Sequence, residues 1–234
     1  MRITTLYRIS DGGYDKVKLE HASKLHCLRN FLSVFGSTDI VVFADRCTPA
    51  TLDGVKSLGV WCVETSAGSS AGSWRRVATF ARKNLSATDY VYFLEDDYLH
   101  LPGAAEVLRE GLQIADYVTL YDHPDKYIDL SRGGNPVGRE QGELTRVLLT
   151  ASTHWKLTNS TTMTFACRLS TLSSDWPIWW WFTLGRHPHD FKSFRLLTRG
   201  RPFGRRRRLI SPLPGLSTHI EKAWLSPRTD WTRI

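Results

Sequence analysis

No stretch of the chain approaches the ~20 consecutive apolar residues that a membrane-spanning helix needs, so none is predicted. The first residues, MRITTLYRIS, run straight into a strand-like pattern. They have neither an apolar h-region nor a small-residue cleavage site, which predicts no secretory leader. Cysteine is scarce: Cys27, Cys47, Cys62 and Cys167 lie far apart and fit neither a zinc nor a redox spacing. Reduced, buried thiols in a cytosolic setting are expected. The phosphate-binding signatures GxxxxGK[ST] and GxGxxG are both missing. A P-loop NTPase and a dinucleotide dehydrogenase each lose their main support. There is no internal repeat. What remains is ordinary globular composition, 234 residues with 41% hydrophobic and 23% charged side chains. That excludes disordered and collagen-like classes and fits one domain.

The formal net charge is +8, and six arginines with no acid fall within Arg199–Arg208 (RGRPFGRRRR). The other 224 residues therefore carry only +2. A duplex-binding protein spreads its cations over a face, whereas a local arginine cluster marks an anionic partner or a solvated loop.

Apolar periodicity alternates between strand and helix. Strands are predicted at Ile3–Ile9, Asp39–Ala44, Val60–Glu64, Tyr90–Leu94 and Tyr117–Tyr121. Helical spacing occupies Lys16–Phe35, the segment opened by Thr48 and Pro49, Ser73–Asn84 and Gly103–Ala115. Short, nearly continuous apolar strands joined by helices predict a mostly parallel sheet covered on both faces. Such sheets bind ligands beyond the carboxyl ends of their strands. Further on, Ser131–Gly142 reads as a mobile Gly/Pro loop. Glu143–Thr150 and Ser160–Cys167 read as strands antiparallel to the rest, and Asp190–Leu197 as a short helix.

The strongest chemical signal is Glu95-Asp96-Asp97, directly after the apolar strand Tyr90–Leu94. Adjacent carboxylates repel unless a positive charge sits among them, and hard carboxylate oxygens suit Mg²⁺ or Mn²⁺. Alternation along an extended chain lets Glu95 and Asp97 point to one side. A polar strand end that caps the next helix is the plainer alternative. Gly68, Ser69, Ser70, Gly72 and Ser73 lie between a strand and a helix, where backbone N–H groups can meet an anion, and Arg75 and Arg76 follow.

A strand ending in an EDD cluster, at this place in an N-terminal βαβ array, resembles the nucleotide-sugar glycosyltransferases of GT-A fold, with family 2 glycosyltransferases and their relatives the nearest comparison. The resemblance implies an α/β fold of GT-A type. One domain would hold a donor-binding half over residues 1–125, an acceptor half over 126–198, and a basic segment over 199–234 that wraps the site. It implies Mn²⁺ or Mg²⁺ on the donor diphosphate, with Asp97 as direct ligand and Asp96 and Glu95 beside it. The nucleoside would meet Tyr7, Arg8 and Ser10, with Asp45 reading base or ribose and Gly72 and Arg76 flanking the donor. The Pro and Asn usual in the family's first strand are absent from Arg8-Ile9-Ser10. Asp190, at a helix start, matches the general base of inverting members, and an N-cap is the compatible structural role. His219 matches the C-terminal histidine that completes the cation site, with His123 and His154 as further candidates. Lys222 or an arginine of Arg205–Arg208 would close over the diphosphate.

Trp176, Trp179, Trp180 and Trp181 divide between core, an acceptor-stacking role and a membrane-facing patch. The reading is an inverting, cation-dependent transferase that uses a nucleotide-diphosphate sugar, a UDP-sugar in particular. The acceptor would be a glycan or lipid-linked glycan, with peripheral membrane contact. The alternatives are a sugar nucleotidyltransferase, for which Asp11-Gly12-Gly13 is a thin echo of the expected loop, and an RNA-binding protein built on Arg205–Arg208. The latter leaves the EDD acids unexplained, since acids repel phosphate without a cation between them.

Overall fold

The computed structural model describes residues 1–12, 17–138, 142–199 and 205–234. Strands β1 (Ile3–Ser10), β2 (Ile40–Asp45), β3 (Trp61–Thr65) and β4 (Tyr90–Glu95) alternate with helices α1 (Lys24–Phe35), α2 (Pro49–Lys56) and α3 (Ser70–Asn84). There follow β5 (Tyr98–His100), α4 (Ala104–Ile114), β6 (Tyr117–Val118), β7 (Val147–Leu149), β8 (His154–Leu157) and β9 (Phe165–Arg168). The last elements are α5 (Leu169–Ser174), α6 (Trp176–Phe182), α7 (Asp190–Arg199), β10 (Leu209–Leu213) and β11 (Ser217–His219). Among the described residues, one sheet has the order β3-β2-β1-β4-β9-β6-β10-β8-β7, and a small second sheet pairs β11 with β5. The expected mixed α/β fold with a large, mostly parallel sheet is what the chain forms.

Alternation along β1 explains the two layers. Tyr7 and Ile9 face a core built on Leu28 and Phe31 of α1, Val55 of α2 and Leu108 of α4. Leu6 faces the opposite core, filled by Trp74 and Val77 of α3, Leu172 of α5, Trp179 of α6 and Phe194 of α7. Local signals set the helix starts. The Thr48 hydroxyl accepts from the Thr51 N–H ahead of Pro49, as predicted. Helix α1 is shorter than its apolar spacing implies, because the Ser23 side chain caps it. Residues 17–22 instead meet the C-terminal chain, where Leu19 N–H donates to Ile220 O.

Four expectations are corrected. The segment after residue 199 does not merely wrap the core: Leu209–Leu213 enters the sheet between β6 and β8. Its prolines hid the strand, yet pairing to β6 stops at Ile210. Pro212 therefore sits where only β8 flanks it, and its missing N–H costs little. Strand β7 runs with the parallel set, because it pairs antiparallel to β8, which itself runs against β10. The Ser131–Gly142 loop holds a fixed element, since Asn135 is buried and donates to Asp125, Asn159 and Ser160; positions 139–141 lie outside the described residues. Finally, only Cys27 and Cys167 are buried, with Cys47 and Cys62 half-buried; all four are free thiols.

Candidate functional site

The parallel strands β1, β2, β3 and β4 end at one edge of the sheet, and a cavity of about 450 Å³ opens there. Its walls include Arg8 and Ser10 at the end of β1, Asp45 and Arg46 at the end of β2, Ser69 and Ser70 at the start of α3, and Glu95, Asp96 and Asp97 at the end of β4. The acids each have a different partner. Arg8, almost fully buried, donates from Nη2 to Glu95 Oε1 at 2.7 Å. Ser10 N–H donates to Asp96 Oδ2 at 2.9 Å. Asp97 Oδ2 lies 2.8 Å from His219 Nε2.

That last pair is a product of topology. Strand β5 starts one residue after Asp97 and pairs with β11, placing His219 opposite Tyr98. The carbonyl of Asp97 also accepts from Ile220 N–H. The two residues that the GT-A resemblance nominated for one cation are thereby brought side by side. Burial and the neighbouring Asp97 charge push the Asp96 carboxyl up to about 7, against the pull of the Ser10 N–H. Excess negative potential of this kind is what a bound cation relieves.

Among the described residues, no group of three or more His, Cys, Asp or Glu side chains could hold a metal ion. Asp97 and His219 offer two ligand atoms, one hard oxygen and one imidazole nitrogen. This donor set fits Mn²⁺ or Mg²⁺ when a substrate's phosphates and water supply the remaining positions, which is how Mg²⁺ is commonly bound.

The other nominated residues separate into those at the cavity and those away from it. Asp45 lines it and also accepts from Ala67 N–H at 2.7 Å, which ties the β3–α3 loop to β2. Gly72 is not in the lining; a Cβ there would stand 2.6 Å from Ala67 O, so glycine lets this loop close tightly. Tyr7 is displaced from the expected nucleoside contact, because strand alternation buries it against Phe31. Arg76 points to solvent from α3 and does not line the cavity. His154 sits exposed on β8. Lys222 is on the surface with Glu20.

Asp190 borders a separate small pocket of about 80 Å³, with His123, Asp125, Lys126, Thr161, Thr162 and Phe191 among its walls. The two pockets are neighbours. Thr162 Oγ1 bonds the Tyr98 hydroxyl at 2.7 Å, Thr164 Oγ1 receives the Glu95 N–H, and Asp190 feels the Glu95 charge. Burial pushes the Asp190 carboxyl up to about 6, while its oxygen accepts from Phe191 N–H.

The arginine cluster is not a lid. Residues 200–204 lie outside those described, but Arg205–Arg208 precede β10 and hence sit at the amino edge of the sheet, opposite the cavity. There Arg207 donates through Nε and Nη2 to the fully buried Asp175 at 2.8 and 3.0 Å, and Arg208 donates to Ile114 O. Arg206 donates to Thr198 O. Folding engages three of these four side chains, while Arg205, Arg206 and Arg208 stay exposed.

Sequence reasoning missed Lys18, Lys24 and Arg186, which folding brings to the cavity beside His187, and flagged Arg46. Lys24 approaches Asp11 at 3.2 Å and Asp96 at 3.9 Å. Arg46 adopts φ 54°, a left-handed conformation rare outside glycine. The position after a strand is the one signal that flagged it.

No family model matches the chain, and no curated protein matches it in sequence. Solved structures do share its architecture. CMP:2-keto-3-deoxy-manno-octonic acid synthetase complexed with CTP is similar over 92% of this chain and 92% of that one, at TM-score 0.52 and 12% identity. A 4-diphosphocytidyl-2C-methyl-D-erythritol synthase from Anaerococcus prevotii DSM 20548 is similar over 90% and 87%, at TM-score 0.50 and 10% identity. The fold is GT-A-like. At these identities the likeness speaks for architecture alone. No helix among the described residues is long and apolar enough to cross a membrane.

Proposed function

We propose that the protein is a cation-dependent transferase acting on a nucleotide-activated sugar, and specifically a glycosyltransferase. The observation that carries this reading is the 2.8 Å pairing of His219 with Asp97, which lines a cavity rich in basic side chains. In this reading Asp97 and His219 hold Mn²⁺ or Mg²⁺, which when bound supplies charge neutralisation for a departing diphosphate. Lys24, Arg46 and Arg186 orient the phosphates and stabilise the same negative charge. Asp45 and Ser10 face the nucleoside side of the cavity. Asp190, in the adjoining pocket, takes the proton of an acceptor hydroxyl as that oxygen attacks the anomeric carbon. The bond from that carbon to the diphosphate oxygen breaks, and the electron pair leaves with the nucleoside diphosphate. Attack from the pocket opposite the leaving group inverts the anomeric centre.

A second reading is nucleotidyl transfer, in which a sugar phosphate or sugar hydroxyl attacks a nucleoside triphosphate and pyrophosphate leaves. Both solved structures named above bear synthase or synthetase names, and one is complexed with CTP. The comparisons favour this second reading, whereas the Asp97–His219 pair and the carboxylate of Asp190 favour the first.

One experiment separates them. The protein is incubated with a panel of nucleotide-diphosphate sugars, and in parallel with nucleoside triphosphates plus sugar 1-phosphates, each with and without Mn²⁺. Release of nucleoside diphosphate from the first panel alone supports glycosyl transfer. Release of pyrophosphate from the second alone overturns it in favour of nucleotidyl transfer.

A further inference from the structure

Helices α3, α5, α6 and α7 all pack on the same face of the sheet, through Trp74, Leu172, Trp179 and Phe194. Their outer sides therefore look away from the sheet in a common direction. The charge on this layer is one-sided. Neither α3, α5 nor α6 contains an Asp or Glu. The acid of α7, Asp190, borders the small pocket, and Asp175 is fully buried. Against this, α3 exposes Arg76, Arg82 and Lys83, and α7 exposes Lys192 and Arg199 with Arg195 half-exposed between them. Lys192, Arg195, Leu196 and Arg199 follow helical spacing, while Ser193, Phe194, Leu197 and Thr198 form the buried stripe. The other helical layer is mixed: α4 carries Glu106 and Glu110 with Arg109.

The same layer exposes apolar groups of a particular kind. Trp181 is 69% exposed, Leu184 52% and Trp180 46%. Arg75 lies over the Trp180 ring and Arg82 over Trp176, at 5.6 and 4.4 Å from the ring centroids. Clustered tryptophan and leucine on a cationic, acid-free face match the two requirements of interfacial membrane binding: apolar insertion and attraction to anionic headgroups. Leucine offers hydrocarbon burial but no stacking surface for a base, which favours lipid over nucleic acid.

We infer that the outer face of α3, α6 and α7 docks on an anionic lipid bilayer, with Trp181 and Leu184 inserted at headgroup depth. Docked this way, the cavity mouth at Arg186 and His187 lies beside the lipid surface. The inference goes beyond the catalytic reading. Its test needs no substrate, so either can fail without the other.

The test is co-sedimentation of the full chain with phosphatidylcholine vesicles, with and without phosphatidylglycerol. Salt-sensitive binding to the anionic vesicles alone is expected, with a blue shift of tryptophan fluorescence. Each cation at an anionic surface contributes about fivefold to partitioning. The double variant Lys192→Gln/Arg195→Gln should therefore lose about twenty-five-fold. Trp181→Ala should weaken binding and reduce the fluorescence shift. These side chains project outward, and an unchanged melting temperature checks that the variants are folded. Equal binding to neutral vesicles, no vesicle binding, or variants that bind like the parent would each overturn the inference. So would tight binding to single-stranded RNA with indifference to vesicles.

Discussion

His219 Nε2 lies 2.8 Å from Asp97 Oδ2, joined across the β5–β11 ladder from opposite halves of the chain. The pair gives the first prediction. Asp97→Asn keeps size and polarity but removes the charge, and should abolish Mn²⁺-dependent binding of nucleotide-diphosphate sugars. His219→Gln should weaken it by at least about tenfold, the low end of what losing even a partner that orients a metal ligand costs. Titration calorimetry with and without Mn²⁺ reads both effects. Donor binding indifferent to the cation, or unchanged in Asp97→Asn, removes the pair from that role.

Asp190 gives a prediction with a sign. Its carboxyl is raised by burial to about 6. A base must be ionised, so turnover should rise through about pH 6 and level off above it. The folded state holds this proton more tightly than the unfolded chain does. Stability from Asp190 is thus present below about pH 4, falls as pH rises to about 6, and stays lower beyond. Asp190→Asn should abolish transfer and leave donor affinity intact. It should also raise stability at neutral pH by up to about 3 kcal/mol, since each tenfold gain in proton affinity on folding corresponds to roughly 1.4 kcal/mol. Full turnover in the Asn variant would assign the base elsewhere.

How much of this was legible in the sequence follows from where each signal resides. Strands β1, β2, β3 and β4 announce themselves because each is a short apolar run next to its own helix. The EDD cluster stands out because it follows the last of them. Strands β8, β10 and β11 do not, since β10 carries Pro212 and the others are only three or four residues long. Their pairing is decided by partners distant in sequence. The cavity cations were equally hidden: Lys24 sits in the first turn of α1 and Arg186 in a loop, and only folding brings them to Asp96 and Ser69. Charge was misjudged for the same reason. Arginines that look like one exposed cluster are drawn into structural bonds, while cations scattered over α3 and α7 collect on one face.

The reassigned cluster is itself testable. Arg207 is half-buried against Asp175, which also accepts from the Tyr117 hydroxyl at 2.8 Å. Removing the guanidinium leaves a fully buried carboxylate poorly compensated. Arg207→Ala should cost about 3 kcal/mol in denaturant unfolding. Donor binding at 25 °C should be unaffected, because the bond lies at the amino edge of the sheet. An unaltered midpoint, or a selective loss of donor affinity, contradicts the assignment.

Gly72 separates a loop-shaping role from a ligand-contacting one. An added methyl would meet Ala67 O at 2.6 Å, and that oxygen is backbone, so the β3–α3 loop must move. Asp45 holds the loop through Ala67 N–H, and Ser69 and Ser70 present it to the cavity. Gly72→Ala should therefore lower stability by about 1–3 kcal/mol, the usual cost of overpacking. It should also weaken donor binding, because the displaced loop forms one wall. Asp45→Asn provides the comparison: it keeps the shape of the loop anchor while weakening its hold on Ala67, so the same wall should shift without a steric clash. Asp45 itself lines the cavity whereas Gly72 does not, so a loss of donor affinity in Gly72→Ala is what attributes the effect to loop position. If Gly72→Ala binds donor like the parent while melting earlier, the loop is not part of the donor wall.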